Sequence, residues 1–160
     1  MVNRLQVTFN QIVTLDSGAF ELIGKGSNSV ALNVSTSVVA NQTIAMITFA
    51  GGNVVGGSLA DGNYNLNVRA AKVHDLLGHQ LDGDGNGLSG GNRVDEFFRL
   101  FGDADGDHDV DNLDFDRFKD TRFVHVGDPG YLWYFDFDGD GAITPKDQKQ
   151  LLNRRTASRA

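Results

Sequence analysis

In the first seventy residues, apolar and polar positions alternate in short runs separated by turn residues. Leu5, Val7 and Phe9 mark one run and Tyr64, Leu66 and Val68 another; a period of two places one row of side chains on each face of a half-buried strand. Five strands are predicted on this basis: Leu5–Phe9, Ala19–Ile23, Ser29–Val34, Thr43–Phe49 and Tyr64–Val68. Short strands at regular spacing with turns between them predict a β-sandwich. Tyr64 stands just after a tight turn at the start of its strand, which suits a buried corner better than a sugar-stacking platform. Arg93–Phe101 fits both periods, since Val94, Phe97, Phe98 and Phe101 have helical spacing while Phe98 and Leu100 alternate; the strand is the reading adopted.

Further along, the period changes to that of helices. Phe115, Phe118 and Phe123, then Leu151 and Leu152, mark two short amphipathic helices. Between them, Asp128-Pro129 predicts an N-cap with proline at the first helical position, followed by one or two turns that bury Trp133 and Tyr134. The fold class expected is therefore mostly β with a small α module. Its two domains are residues 1–102, a sandwich, and residues 103–160, ending in a short basic tail of Arg154, Arg155 and Arg159.

Charge sharpens this division. Residues 1–81 hold four acids and four bases, so the whole net charge of −7 lies in residues 82–160. Nineteen of the acids are Asp and two are Glu, a bias towards loop carboxylates and hence towards hard cations. An acidic surface repels phosphate backbones, so no nucleic-acid partner is expected. The longest apolar runs fall far short of the roughly 20 residues a membrane helix needs, so no membrane insertion is expected either. The chain has no cysteine, which removes disulfides, zinc thiolates and cysteine nucleophiles.

The Asp residues have a definite spacing. Asp103, Asp105, Asp107, Asp109, Asp111 and Asp114 occupy positions 1, 3, 5, 7, 9 and 12 of one loop, and Asp136, Asp138, Asp140, Ala142, Thr144 and Asp147 repeat the register thirty-three residues later. Calcium takes six to eight oxygens, and this spacing wraps side chains round one point, with a backbone carbonyl at position 7 and a closing carboxylate at position 12. Without metal, neighbouring carboxylates about 4 Å apart repel by roughly 1 kcal/mol per pair even in water, so apo folding is expected to be poor. Position 6, which needs a positive φ, is Gly141 in one loop and His108 in the other. Position 8 is Val110 and Ile143, at which the two loops are expected to form a short two-stranded contact. A candidate third site begins at Asp82 and would use Asp84, Asn86, the Leu88 carbonyl and either Asn92 or Asp95, but Arg93 stands at its position 12.

Two resemblances follow from these residues. Val-Thr-Phe at 7–9, Gly-Ala-Phe-Glu-Leu at 18–22 and Asp-Gly-Asn-Tyr-Asn-Leu-Asn-Val at 61–68, with the later 71–81 segment, resemble bacterial Ig-like domains of large secreted proteins over about residues 4–102. Such domains imply spacer and adhesion roles. The tandem loop-plus-exit-helix repeats, each closed by Asp, resemble the type I dockerin module over about residues 103–155. That resemblance implies calcium-dependent folding and docking onto a cohesin domain, usually in secreted assemblies that degrade polysaccharides. Dockerins commonly read their partner through small hydroxyl residues at positions 10 and 11; here those positions are Asn112, Leu113, Pro145 and Lys146.

No nucleophile elbow, zinc-protease helix motif or phosphate-binding glycine loop occurs, and the clustered acids are already claimed by the loops, so no catalysis is expected. The function expected is a calcium-binding, extracellular or cell-surface module, in which two Ca2+ ions fold the acidic part and fix it to the sandwich for docking or anchoring. Its partner is a protein, either a cohesin-like domain or a neighbouring protomer. A structural subunit of an extracellular assembly such as a filament is one alternative. The other is an accessory module of a secreted polysaccharide-degrading enzyme, although direct carbohydrate binding is not expected from a first half without Trp. Met1-Val-Asn-Arg leads directly into a strand without a signal-peptide pattern, which reads as a fragment, a processed product or an unrecognised export signal.

Overall fold

The alternating segments form strands, and the strands share one curled sheet. The computed structural model describes every residue except Lys25, Ser27 and residues 156–160; Arg159 of the basic tail therefore lies outside the described residues. Among the described residues ten strands run in chain order: β1 (Leu5–Thr8), β2 (Val13–Leu15), β3 (Phe20–Gly24), β4 (Asn28–Val39), β5 (Gln42–Ala50), β6 (Val54–Val55), β7 (Ser58–Leu59), β8 (Gly62–Val68), β9 (Val73–Asp75) and β10 (Arg93–Arg99). Two helices follow, α1 (Asn112–Asp120) and α2 (Pro145–Leu152). The chain is thus mostly β with a small helical part. All five predicted strands are present, and the ambiguous Arg93–Phe101 segment is a strand to Arg99.

The described residues divide into two compact units. One comprises Arg4–Gly51 and Asn63–Phe97; the other comprises Met1–Asn3, Gly52–Gly62 and the chain from Phe98 onward. Each unit is assembled from separate stretches of the chain.

In the first unit the sheet order is β1-β5-β4-β3-β8-β10. Strand β4 is shared. Its first residues pair with β3, Leu22 opposite Val30, while Ala31–Val39 pair with β5, from Ala31 opposite Ala50 to Val39 opposite Gln42. The sheet bends where β4 leaves β3. Alternate residues of β5 (Thr43, Ala45, Ile47, Phe49) and β8 (Tyr64, Leu66, Val68) are buried, as period-two patterning requires. Tyr64 is only 4% exposed and stacks on Phe97 at 5.5 Å between ring centroids. A Cβ at Gly24 would stand 3.0 Å from the Tyr64 ring, so glycine is what lets that ring lie flat on β3. The pair β2–β9, unpredicted because each strand has three residues, is tied to β5 by the Val13 amide, which donates to Thr43 Oγ1 at 2.9 Å.

The second unit has its own core of Leu100, Phe101, Val110, Phe118, Phe135, Ile143 and Leu151. Phe118 meets Phe135 edge to face at 5.3 Å. Two expectations fail here. Asp128-Pro129 does not start a helix: Gly130 follows at φ 86°, outside the helical region, and a single 3-10 turn forms later at Trp133–Phe135. Trp133 does not pack in the core either; it is 49% exposed, and its neighbour Phe135 takes the buried place.

Candidate metal centre

Both Asp-rich loops fold by the same hydrogen bonds, position for position. At position 1, Asp103 accepts from the amides of Gly106 (2.6 Å) and His108 (3.1 Å), and Asp136 accepts from those of Gly139 (2.8 Å) and Gly141 (2.9 Å). At position 5, Asp107 accepts from the Asp109 amide at 3.1 Å and Asp140 from that of Ala142 at 3.0 Å. At position 12, Asp114 accepts from Ala104 and Asp111 amides at 2.7 and 2.8 Å, and Asp147 from Phe137 and Thr144 amides at 2.8 and 2.7 Å. Short polar side chains that accept from nearby amides curl the chain inwards. The two exit helices start from these same residues. Asp111 and Thr144 are N-caps, and Asp114 and Asp147 complete capping boxes at the third helical position. Position 12 therefore has two duties, closing the loop and capping the helix. His108 adopts φ 78° and Gly141 φ 87°, the left-handed turn expected at position 6. His108 is held there against Phe98, with ring centroids 3.8 Å apart.

The result is a convergence of oxygens. Among the described residues, carboxylate oxygens of Asp103, Asp105 and Asp114 lie within 4.8 Å of one another, as do those of Asp109, Asp111 and Asp114, and those of Asp136, Asp138 and Asp147. One Asp109 carboxylate oxygen is buried without a hydrogen-bond partner. Unneutralised charge follows. Burial pushes the Asp103 carboxyl above the ordinary carboxylate range, and the charges of Asp114 and Asp107 add to this, despite the two amides it accepts. Desolvation together with Asp107, Asp111, Asp114 and Asp103 raises Asp109. Asp138 is raised by desolvation and by Asp140 and Asp147, with Lys146 opposing. Such a set can take a hard cation through its oxygens. Asp107, Asp140, Thr144 and the Ala142 carbonyl fall outside the converging triplets but stand in the same two loops.

Val110 and Ile143 are both buried in the core cluster, but the expected contact between the two position-8 backbones is replaced. The Ile143 amide donates to Val124 and its carbonyl accepts from Phe123, both at 2.9 Å, and the Val126 amide donates to Gly141. The chain leaving α1 turns back at Phe123, φ 64°, and offers an extended edge to loop 2.

The Asp82 segment shares part of this scaffold, since Asp82 accepts from the Gly87 amide at 2.8 Å as position 1 does from position 6 in both loops, but its acids are in none of the converging triplets. Asp82 and Asp84 accept from the Asn86 amide, Asn86 accepts from the Leu88 amide at 2.8 Å, and the residues needed to close the site are engaged elsewhere. Asn92 accepts from the Ala70 amide at 2.9 Å, and Asp95 accepts from the Arg93 guanidinium. Asn112, Leu113, Pro145 and Lys146 are exposed at the starts of α1 and α2.

Sequence reasoning missed residues that hold the loops in place. Asp61 accepts from Arg99, from Arg154 and, at 2.8 Å, from the Phe101 amide just ahead of loop 1. Burial opposes its ionisation, but the Arg154 hydrogen bond, the Arg99 charge and the Phe101 amide outweigh that and hold its carboxyl below the ordinary value. Arg154 also lies over the Phe101 and Phe137 rings at 5.5 and 5.0 Å. Gly56, between β6 and β7, abuts loop 2: a Cβ there would stand 2.6 Å from the Phe137 oxygen and the Asp138 carbonyl carbon. Nothing local in the sequence pairs residue 56 with residue 138. No protein-family model matches the chain, and no curated protein matches it significantly.

Proposed function

We propose that this protein is a non-catalytic calcium-binding module of an extracellular or cell-surface protein, with an Ig-like sandwich and a dockerin-like pair of calcium loops. The observation that supports it most is the repetition of one carboxylate scaffold in two loops, with the same acceptors at positions 1, 5 and 12 and a converging Asp triplet in each. Two Ca2+ ions would be held by Asp103, Asp105, Asp107, Asp111, Asp114 and the carbonyl of Asp109, and by Asp136, Asp138, Asp140, Thr144, Asp147 and the carbonyl of Ala142. Calcium supplies the positive charge that lets these carboxylates stay ionised side by side. The role that follows is structural, with the ions fixing α1 and α2 so that their exposed first turns, at Asn112, Leu113, Pro145 and Lys146, present a fixed surface to a protein partner such as a cohesin-like domain. Millimolar extracellular calcium would keep even sites with Kd about 10⁻⁴ M filled.

Thermal unfolding in EDTA and in excess calcium, with calorimetric titration, tests this reading. Two bound ions and a higher Tm are expected; at free calcium one hundred times Kd, one site alone adds about 2.7 kcal/mol. An unchanged Tm with no heat of binding would refute it.

A further inference from the structure

The six-stranded sheet has three unpaired edges among the described residues, and they are not alike. β1 is four residues long, and β10 carries Arg93, Asp95, Glu96 and Arg99. The third is the outer side of β4 from Ala31 to Val39, where the strand has left β3 and pairs with β5 alone. That edge has no charge, no proline and no interruption of register. Indeed residues 26–60 contain no Asp, Glu, Lys or Arg at all. Sheet edges are ordinarily protected against pairing by charge, proline, bulges or brevity, and this one has none of these.

The side chains along it match their own image. The hairpin closes through Ala40 and Asn41, both at positive φ (48° and 66°), with Val39 opposite Gln42. In a two-residue hairpin of this kind the flanking pair is hydrogen-bonded. Val39 therefore turns its backbone groups towards β5, and by alternation Leu32, Val34, Thr36 and Val38 turn theirs outward. These four also share a face with Phe49, Ile47, Ala45 and Thr43, their partners on β5, which are buried. On β5 that face is core; on β4 it is left open, with Val34 44% and Val38 57% exposed. A groove of about 550 Å³ runs along this edge, lined by Leu32, Val34 and Thr36 of the strand and also by Asp16, Glu21 and Arg69, the last two ion-paired at 2.8 Å.

We infer that this edge pairs antiparallel with the same edge of a second copy of the chain. Centred on Ser35, the pairing sets Val34 against Thr36 and Leu32 against Val38 of the other copy, in both directions. Every outward backbone group then meets an outward group, which a register shifted by one residue does not achieve. Apolar and β-branched pairs of this kind stabilise sheets. Two like edges pair without repulsion only if they are uncharged, and the run from residue 26 to 60 meets that condition. The symmetry is that of an isologous dimer. This inference is independent of calcium binding.

Sedimentation of the full chain in calcium, from micromolar to millimolar concentration, tests it. The expected mass rises with concentration to twice 17.3 kDa. Thr36→Lys, an exposed substitution flanking the axis, is expected to return it to one chain with little change in Tm. A second test does not depend on that variant. The chain has no cysteine, and Ser35 meets its own copy in a non-hydrogen-bonded pair with Cα atoms about 4.5 Å apart, within disulfide range. Ser35→Cys is therefore expected to form a disulfide dimer under mild oxidation much faster than Ser37→Cys, which lies off the axis. A monomer at all concentrations, association that Thr36→Lys leaves unchanged, or equal cross-linking of the two cysteine variants would overturn the inference.

Discussion

Asp147 and Asp140 stand in the same loop yet are expected to fail differently. Asp147 is fully buried and accepts from Phe137 and from the amide and hydroxyl of Thr144. Removing it takes away a helix cap and leaves a buried amide unpaired. Asp147→Ala is therefore expected to cost about 2–4 kcal/mol even in EDTA, by denaturant unfolding. Asp140 is exposed and holds one amide. For Asp140→Ala the expectation is a loss below about 0.5 kcal/mol in EDTA, with the damage appearing only as weaker calcium binding. Equal losses in EDTA would show that both residues serve the apo fold alone. The spacing of the Asp residues was legible in the sequence because each loop repeats the same acceptors at positions 1, 5 and 12. The second duty of position 12 was equally present, as Asp111-x-x-Asp114 and Thr144-x-x-Asp147, but the ligand reading absorbed it.

Elements show where legibility ends. The longer alternating strands could be read because each carries its own record of one buried face. β2, β6, β7 and β9 could not, being two or three residues long, too short to display a period. Their places are set by partners distant in sequence, such as Thr43 for β2. The failure at Asp128-Pro129 has a local cause, since the start signal is sound but Gly130 at positive φ stops the helix it would begin. The contact of the β6–β7 turn with loop 2 yields a prediction on this scale. Gly56 has φ 54° and no room for a side chain against Phe137 and Asp138, whereas Gly57 has φ 75° and nothing within 4 Å. Gly57→Ala meets only the left-handed penalty of about 1–2 kcal/mol. Gly56→Ala adds displacement of the backbone that carries Asp138, so calorimetry is expected to show one of two calcium sites weakened. Identical calcium binding in the two variants would show that the turn does not position the loop.

For the molecule as a whole, the grouping of charge predicts how stability follows pH. A carboxyl whose folded pKa is raised gives stability that is present below its unfolded pKa and lost as pH rises through the folded value. Asp103, Asp109 and Asp138 are of this kind. Asp61, held low by Arg154 and Arg99, has the opposite sign: its contribution is present above the unfolded pKa and lost as pH falls through the folded one. In EDTA these oppose each other, with Asp75, Asp82 and Asp95 also held below the ordinary value, so the Tm advantage of the parent over Asp61→Asn is expected to shrink as pH falls through the carboxylate range. On the proposed function calcium would reverse the loop contribution, because a cation binds the ionised carboxylates and competes with protons for the same oxygens. The calcium-induced rise in Tm is therefore expected to be largest at neutral pH and to shrink steadily below about pH 5, near the ordinary carboxylate values. Melting curves across this range, with and without calcium, decide it. A calcium effect that stayed constant with pH would mean that the ion binds without displacing protons from these loops, and would separate the raised carboxyls from the site.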